Sequence, residues 1–490
     1  LEPYSISGEQ AVYHCPLFDG HKPTIAGIQL KALETPSISI GRAFSGETRD
    51  TINLKTDERG NLLFRTDAGG FRLINTIAEL QLIAEGANDD NLKASYKQES
   101  DIDFMSQPVV WIPIGWNESF PFSGVYNGNG YKIRNMYVSK SLPLSNTEIS
   151  PDLKEEEMIG FFGYNTGIIS NLCLVSGGLS VDIISENMNR KEQYDYSIGT
   201  ICGYNNGRIE YCSNSDYSLY LHIEPSEKTS NFYVGGISGK LENILYACIN
   251  NSKIEIIDSG GEGDLRVGGL SGLCLNKGNN YGPRCLANTN HGELSVRTEE
   301  GIGKRTHGIG GLFGATYEKF IEELRESWYI NNYNSGTITY TIGSQDYEYA
   351  VGGIIGILGE GSFQSLTYNY NIGEMRISYA DRQTISNNKE YLGWMSGKIE
   401  KKQSDISIRD FYYDYDSTKI EKEELITVHR PIGNYTEENP YIIPEILKGI
   451  YRFSINDWPK WAIERWAWGD LGGWNNGNPV YPKLWIEKNK

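Results

Sequence analysis

The chain has no apolar run of the roughly 18 residues that a membrane helix requires, so no helical span is expected. Positive charge is in deficit: 45 lysines and arginines face 63 aspartates and glutamates, a net charge of −18. That balance argues against nucleic acid and against an anionic membrane surface, since both ask for basic patches. Histidine is scarce. His14, His21, His222, His291, His307 and His429 form no His-Glu-x-x-His, which removes the helix-borne zinc peptidase. The seven cysteines (Cys15, Cys173, Cys202, Cys212, Cys248, Cys274 and Cys285) contain no Cys-x-x-Cys pair, which disfavours zinc ribbons and thioredoxin-like sites. Their odd number disfavours a complete disulfide framework. A Gly-x-Ser-x-Gly elbow and a Walker loop are also lacking. The chain opens at Leu1 with no signal peptide and reads as a mature form without its targeting segment.

What is present is a repeat. Val351-Gly352-Gly353-Ile354-Ile355-Gly356 has earlier copies at Ile198-Gly199-Thr200-Ile201-Cys202-Gly203, Val234-Gly235-Gly236-Ile237-Ser238-Gly239, Val267-Gly268-Gly269-Leu270-Ser271-Gly272 and Ile309-Gly310-Gly311-Leu312-Phe313-Gly314. A copy one residue shorter stands at Ile159-Gly160-Phe161-Phe162-Gly163, and a worn one at Leu392-Gly393-Trp394-Met395-Ser396-Gly397. The first glycines recur at steps of 39, 36, 33, 42, 42 and 41 residues. A period of this length means an array whose units bury their apolar faces only by stacking. At 490 residues the chain also exceeds one ordinary compact core.

Each unit reads as three short strands: the glycine box, an apolar segment such as 243–248, and an alternating run such as 253–256. Between the last two, Asn288-Thr289-Asn290-His291-Gly292, Asn332-Tyr333-Asn334-Ser335-Gly336 and Asn369-Tyr370-Asn371-Ile372-Gly373 read as a recurring turn. This is the pattern of a parallel β-solenoid rising about 4.8 Å per coil. The glycines allow a sharp corner or a close approach of backbone. Cys173, Cys212, Cys248 and Cys285 read as small buried hydrophobes stacked coil on coil.

The ends differ from the array. Residues 1–72 read as a small β domain, with a hairpin signal over 51–65. Thr76-Ile77-Ala78-Glu79 is a capping box opening a helix over 76–86 that would cap the first coil. The solenoid would run over 73–430, and 431–490, with Trp458, Trp461, Trp466, Trp468, Trp474 and Trp485, would form a C-terminal cap. The spacing of Tyr317, Phe320, Ile321 and Leu324 predicts a helix inserted after the fifth box, with Tyr317, Phe320, Glu322 and Glu323 as binding candidates. Asp410, Asp414 and Asp416 are candidate calcium ligands, although calcium wants about 6–8 oxygens. Asp101 and Asp103 share one strand face and are a candidate acid–base pair. No other cofactor is expected.

The boxes at 234–239, 267–272, 309–314 and 351–356, with the Asn-x-Asn-x-Gly turns, resemble GLUG-motif repeats. The lead-in at 74–81, Asp101-Ile102-Asp103, Pro113-Ile114-Gly115, Phe122-Ser123-Gly124 and the ending Asn478-Pro479-Val480-Tyr481-Pro482-Lys483-Leu484-Trp485 are similar to that family as well. The resemblance covers about residues 73–490. It implies an all-β, right-handed parallel β-helix in a secreted or outer-membrane surface protein of a Gram-negative gut-type bacterium. The family is commonly labelled adhesin-like and supplies no catalytic residues. The expectation is therefore a non-enzymatic, adhesin-like scaffold that presents loops to a host protein, a glycan or a fimbrial partner. It would meet a membrane only through a lipid anchor. The alternative is a polysaccharide-degrading β-helix enzyme, a lyase or glycoside hydrolase. That reading calls for carboxylates from successive coils converging in one wall cleft, beside which the matched positions hold mostly Ile, Leu, Asn, Gly and Cys.

Overall fold

The structure is a computed structural model. It describes residues 3–7, 10–13, 25–31, 37–44, 47–56, 62–84, 89–105, 108–109, 111–143, 155–184, 194–225, 229–276, 282–299, 305–318, 327–343, 348–359, 364–380, 389–400, 406–409, 411–414, 432–433, 450–453, 468–470, 473–475, 478–480, 483–484 and 487. The chain forms two compact units, one of residues 1–75 and 95–99 and one of residues 76–94 and 100–490. No helix among the described residues is long and apolar enough to cross a membrane.

The first unit is largely antiparallel. Strands Ile25–Lys31, Ser37–Phe44, Glu47–Thr56 and Leu62–Leu63 pair in chain order, and Lys55 faces Leu63 in the hairpin read from the alternating pattern.

The second unit is a parallel β-solenoid, as the repeat predicts. It opens with helix α1, Ile77–Ala84, and its capping box is formed: Thr76 Oγ1 accepts from the Glu79 N–H, and the Glu79 carboxylate accepts from the Thr76 N–H. Leu80, Ile83 and Ala84 bury its apolar stripe.

One coil shows how the rest are built. It contains β1 (Ser230–Gly235), β2 (Ser238–Leu241), β3 (Ile244–Tyr246), β4 (Ile249–Asn251) and β5 (Ile254–Asp258). Five short strands replace the three read from the sequence. The glycine box is not a strand. Its first glycine ends β1 and its fifth residue, Ser238, begins β2, so the box is the corner between two walls. Among the described residues, stacking makes wall 1 from seven parallel strands equivalent to β1 and wall 2 from seven equivalent to β2. Strands equivalent to β3 form wall 3, and those equivalent to β4 and β5 form wall 4.

Inward side chains stack on their equivalents. Ile209, Leu245, Cys285, Tyr329 and Leu366 form one such column on wall 3, all buried. The Asn-x-Asn-x-Gly segments are likewise more than turns, because both asparagines point into the core. Asn250 donates to Asn290 (2.6 Å), Asn290 to Asn334 (2.9 Å) and Asn334 to Asn371 (2.9 Å). The first asparagines form a second ladder: Asn288 donates to Asn332 and Asn332 to Asn369. Such ladders give amides a full set of partners where an isolated amide would be costly to bury.

Candidate functional site

The residues singled out from the sequence do not assemble into one site. Tyr317 is exposed and belongs to strand Phe313–Glu318 rather than to a helix, because its backbone pairs with Leu275 of the preceding coil. Phe320, Glu322 and Glu323 lie outside the described residues, as do Asp410 and Asp416. Asp414 ends strand Phe411–Asp414, and only its backbone is described. Among the described residues, no group of three or more His, Cys, Asp and Glu side chains could hold a metal ion. Asp101 is tied to Arg134 (3.0 Å) and accepts from the Lys132 N–H, while Asp103 accepts from the Met105 N–H and from Asn135. Both carboxylates are thus engaged in holding a strand and a turn. The cysteine expectation holds in part: Cys212 and Cys248 are buried at equivalent corners, Cys285 faces inward from wall 3, and Cys173 is only half-buried.

A different cluster emerges where walls 1 and 2 meet. The last glycine of each box brings the walls into close contact: a Cβ on Gly203 would lie 2.6 Å from the Ile159 amide nitrogen. Side chains that alternate with the core-facing ones therefore fall into a narrow recess along the outside of this corner. Tyr233, Leu273, Ala315, Ala350 and Ile357 bury one another in it. Near its start sits Lys240, whose side chain is only 7% exposed.

Lys240 Nζ lies 2.9 Å from Glu156 Oε1 and 3.0 Å from Asp195 Oδ2. The two carboxylates come from neighbouring strands of wall 1, in direct register. Sharing one ammonium holds these oxygens at most about 6 Å apart. The tyrosine rings of 233 and 204 lie 4.4 and 5.5 Å from Nζ, within cation–π range. Ser197 donates to Glu156, Asn231 Nδ2 donates to Asp195 Oδ1 (2.8 Å), and the Tyr204 hydroxyl donates to Glu242. Burial pushes the Glu156 carboxyl above the usual carboxylate range, and nearby Asp195 adds to this, against the pull of Lys240 and Ser197. Solvent still reaches the pair, at 15% and 19% side-chain exposure.

This arrangement was encoded at a fixed offset. Glu156, Asp195, Asn231 and Asp264 each stand four residues before a box's first glycine, and Lys240 directly follows a box. The pattern repeats more openly at the far end, where Lys398 also follows a box, pairs with Glu348 and Glu400, and lies 5.4 Å from the Tyr391 ring.

A second charged cluster is sealed inside. Asp258, Arg305 and His307 are all essentially unexposed. His307 Nε2 lies 3.1 Å from Asp258 Oδ2 and its Nδ1 lies 2.6 Å from the Tyr340 hydroxyl. Arg305 Nε lies 3.1 Å from the same carboxylate oxygen, and NH1 donates to the Ser230 carbonyl (2.7 Å). The constellation has the residue types of a proton relay, but no reacting atom reaches it. It is an internal brace between walls 1 and 4.

No protein-family profile matches the chain. No curated protein matches it either. Solved structures do. One is a Bacteroides ovatus protein provisionally assigned as an immunoglobulin A1 protease, 15% identical over 85% of this chain and 93% of its own, with a TM-score of 0.44. Another, described as an IgA1 protease, is 12% identical over 86% of this chain and 29% of its own, with a TM-score of 0.37. The parallel β-solenoid stands; membership of the GLUG-motif family is not shown. Against the expectation of a non-enzymatic adhesin, both of these structures carry the name of a protease.

Proposed function

We propose that the chain is a hydrolytic enzyme built on a β-solenoid, with Glu156 and Asp195 as its acid–base pair. The observation that carries this reading is the convergence of two carboxylates from successive coils on Lys240, in a recess that solvent still enters. Burial favours the protonated form of Glu156 over the opposing pull of Lys240 and Ser197, and Asp195 stands beside it with its oxygens met by Asn231 and Lys240. In the reaction, Asp195 takes a proton from water as the water oxygen bonds to the substrate. Glu156 gives its proton to the leaving group as the scissile bond breaks. Lys240 balances the negative charge between them. A secreted or surface location goes with this reading.

Peptide bonds are the first substrate to test, because the structural neighbours are named as immunoglobulin A1 proteases. The full chain is incubated with immunoglobulin A1, with an unfolded protein and with a polysaccharide panel, beside the Glu156→Gln and Asp195→Asn variants. The expected result is cleavage of at least one polymer, slowed about 100-fold or more in each variant, as loss of a general acid or base implies. Absence of cleavage on every substrate, or cleavage that both folded variants retain in full, would remove the proposal.

A further inference from the structure

We infer that the corner between walls 3 and 4 is a docking socket for a Leu-x-x-Glu segment, filled in this structure by the chain's own Leu484 and Glu487. The socket begins with backbone geometry. Tyr211, Ala247, Ala287, Asn331 and Tyr368 occupy equivalent corner positions and all have φ between 53° and 58°. Asparagine enters this left-handed region readily, whereas alanine does so at a cost of about 1–2 kcal/mol. Backbone preference therefore does not explain Ala247 and Ala287. Space does. Flanked by Tyr211 on one side and by Asn331 and Tyr368 on the other, the two alanines leave a notch two coils tall, about 10 Å.

Leu484 is the knob. It is fully buried in one cluster with Ala247, Ile249, Ala287, Tyr333 and Tyr370. The stacked rings of Tyr333 and Tyr370, 4.5 Å apart, form the rim. Glu487 is the clamp: its Oε2 accepts from the Tyr333 hydroxyl (2.7 Å) and lies 3.3 Å from His291 Nε2. Its Oε1 accepts from the Leu484 N–H (2.7 Å), which fixes knob and clamp in one turn. An apolar anchor and a carboxylate three residues apart thus meet a notch and a pair of polar donors. The contact sits on the flank of the middle coils. Leu484 also faces Trp468 in a two-stranded antiparallel ladder, so knob and clamp seat one strand of that ladder on the flank, and the same segment supplied in trans can compete for the seat.

The test uses the full chain and a fluorescent peptide with the sequence of residues 480–490. In the wild-type chain the socket is filled, so binding is weak. The Leu484→Ala/Glu487→Gln double variant empties it, and peptide affinity should rise at least 10-fold. Adding Ala287→Leu to that background fills the notch and should abolish binding. Tyr333→Phe, which leaves the ring stack in place, should weaken binding several-fold. Equal affinity for wild type and the double variant, affinity that neither Ala287→Leu nor Tyr333→Phe alters, or no binding to any chain would each overturn the inference.

Discussion

A Cβ placed on Gly311 would lie 2.5 Å from Asn334 Nδ2. The second glycine of the box and the second asparagine of the Asn-x-Asn-x-Gly segment are therefore two halves of one contact across the core. The pairing recurs at Gly236 with Asn250, Gly269 with Asn290 and Gly353 with Asn371. Where Thr200 replaces this glycine, the same asparagine column is met by a hydrogen bond instead: the Thr200 hydroxyl accepts from Asn214 (2.9 Å), the register partner of Asn250. Gly311→Ala should thus force both the ladder and the Gly353 carbonyl aside, at a cost toward the upper end of the about 1–3 kcal/mol typical of overpacking. Gly130→Ala, at φ 81° with open space around it, should cost only about 1–2 kcal/mol. Urea midpoints of the two variants check the order; a larger loss at Gly130 would contradict the contact.

This pairing shows which parts of the fold were legible. The boxes and asparagine segments were visible separately, and their period was enough for a solenoid. Their joint role was hidden because residues 311 and 334 meet across a core that no local pattern describes. The Glu156, Asp195 and Lys240 cluster was hidden for a related reason. Its members sit at constant offsets from the boxes, but the outward face of a corner strand becomes a half-buried recess only when two walls close on each other. The brace of Asp258, Arg305 and His307 joins residues 47 and 49 positions apart and left no sequence signal at all.

The first-asparagine ladder predicts an asymmetry between two substitutions. Asn332 accepts from the Asn288 backbone N–H and side chain and donates to the Cys285 carbonyl (2.9 Å) and Asn369. At the matching corner of an earlier coil, Cys248 Sγ donates to the Ile209 carbonyl instead, and its N–H is held by Asn288. Asn332→Leu should therefore be severe, since each orphaned buried group costs about 1–3 kcal/mol. Cys248→Asn extends the ladder and should stay within about 1 kcal/mol of wild type, the worth of one hydrogen bond. Thermal unfolding of both variants tests this; equal losses would mean the ladder is incidental.

Acid should weaken the internal brace in two stages. Burial pushes the His307 imidazole below its ordinary value near 6.5, and Arg305 and Arg266 push the same way, against Asp258. The folded state thus resists a proton that the unfolded chain accepts, so this stability is full above about pH 6.5 and declines as pH falls below it. Burial also works against the Asp258 charge, but Arg305, His307 and the Gly260 N–H hold its carboxyl below the usual range. That contribution is present above about pH 3.9 and is lost as pH drops through the lower folded value. The urea midpoint should fall between pH 7 and 5, and fall again below pH 4. His307→Gln should flatten the first decline and leave the second. Parallel profiles for both proteins would assign the first decline to other groups.

Lys240 separates the catalytic from the purely structural reading of the recess. Lys240→Met keeps the stem against the rings of Tyr204 and Tyr233 but leaves Glu156 and Asp195 facing each other without a cation. Like charges this close cannot both remain ionised at no cost, so the carboxyls should take up a shared proton and titrate higher. The stability loss should stay below the about 3–5 kcal/mol of a broken, fully buried pair, because solvent reaches both acids. Adding Glu156→Gln removes one of the two facing carboxyls and should restore most of that loss, while hydrolysis stays about 100-fold or more below that of Lys240→Met. If the double variant regains both stability and full cleavage, the carboxylates serve packing alone. If it regains stability without cleavage, the acid–base assignment stands, and the midpoint of the pH–rate profile of Lys240→Met should move upward by the same direction of shift that its titration shows.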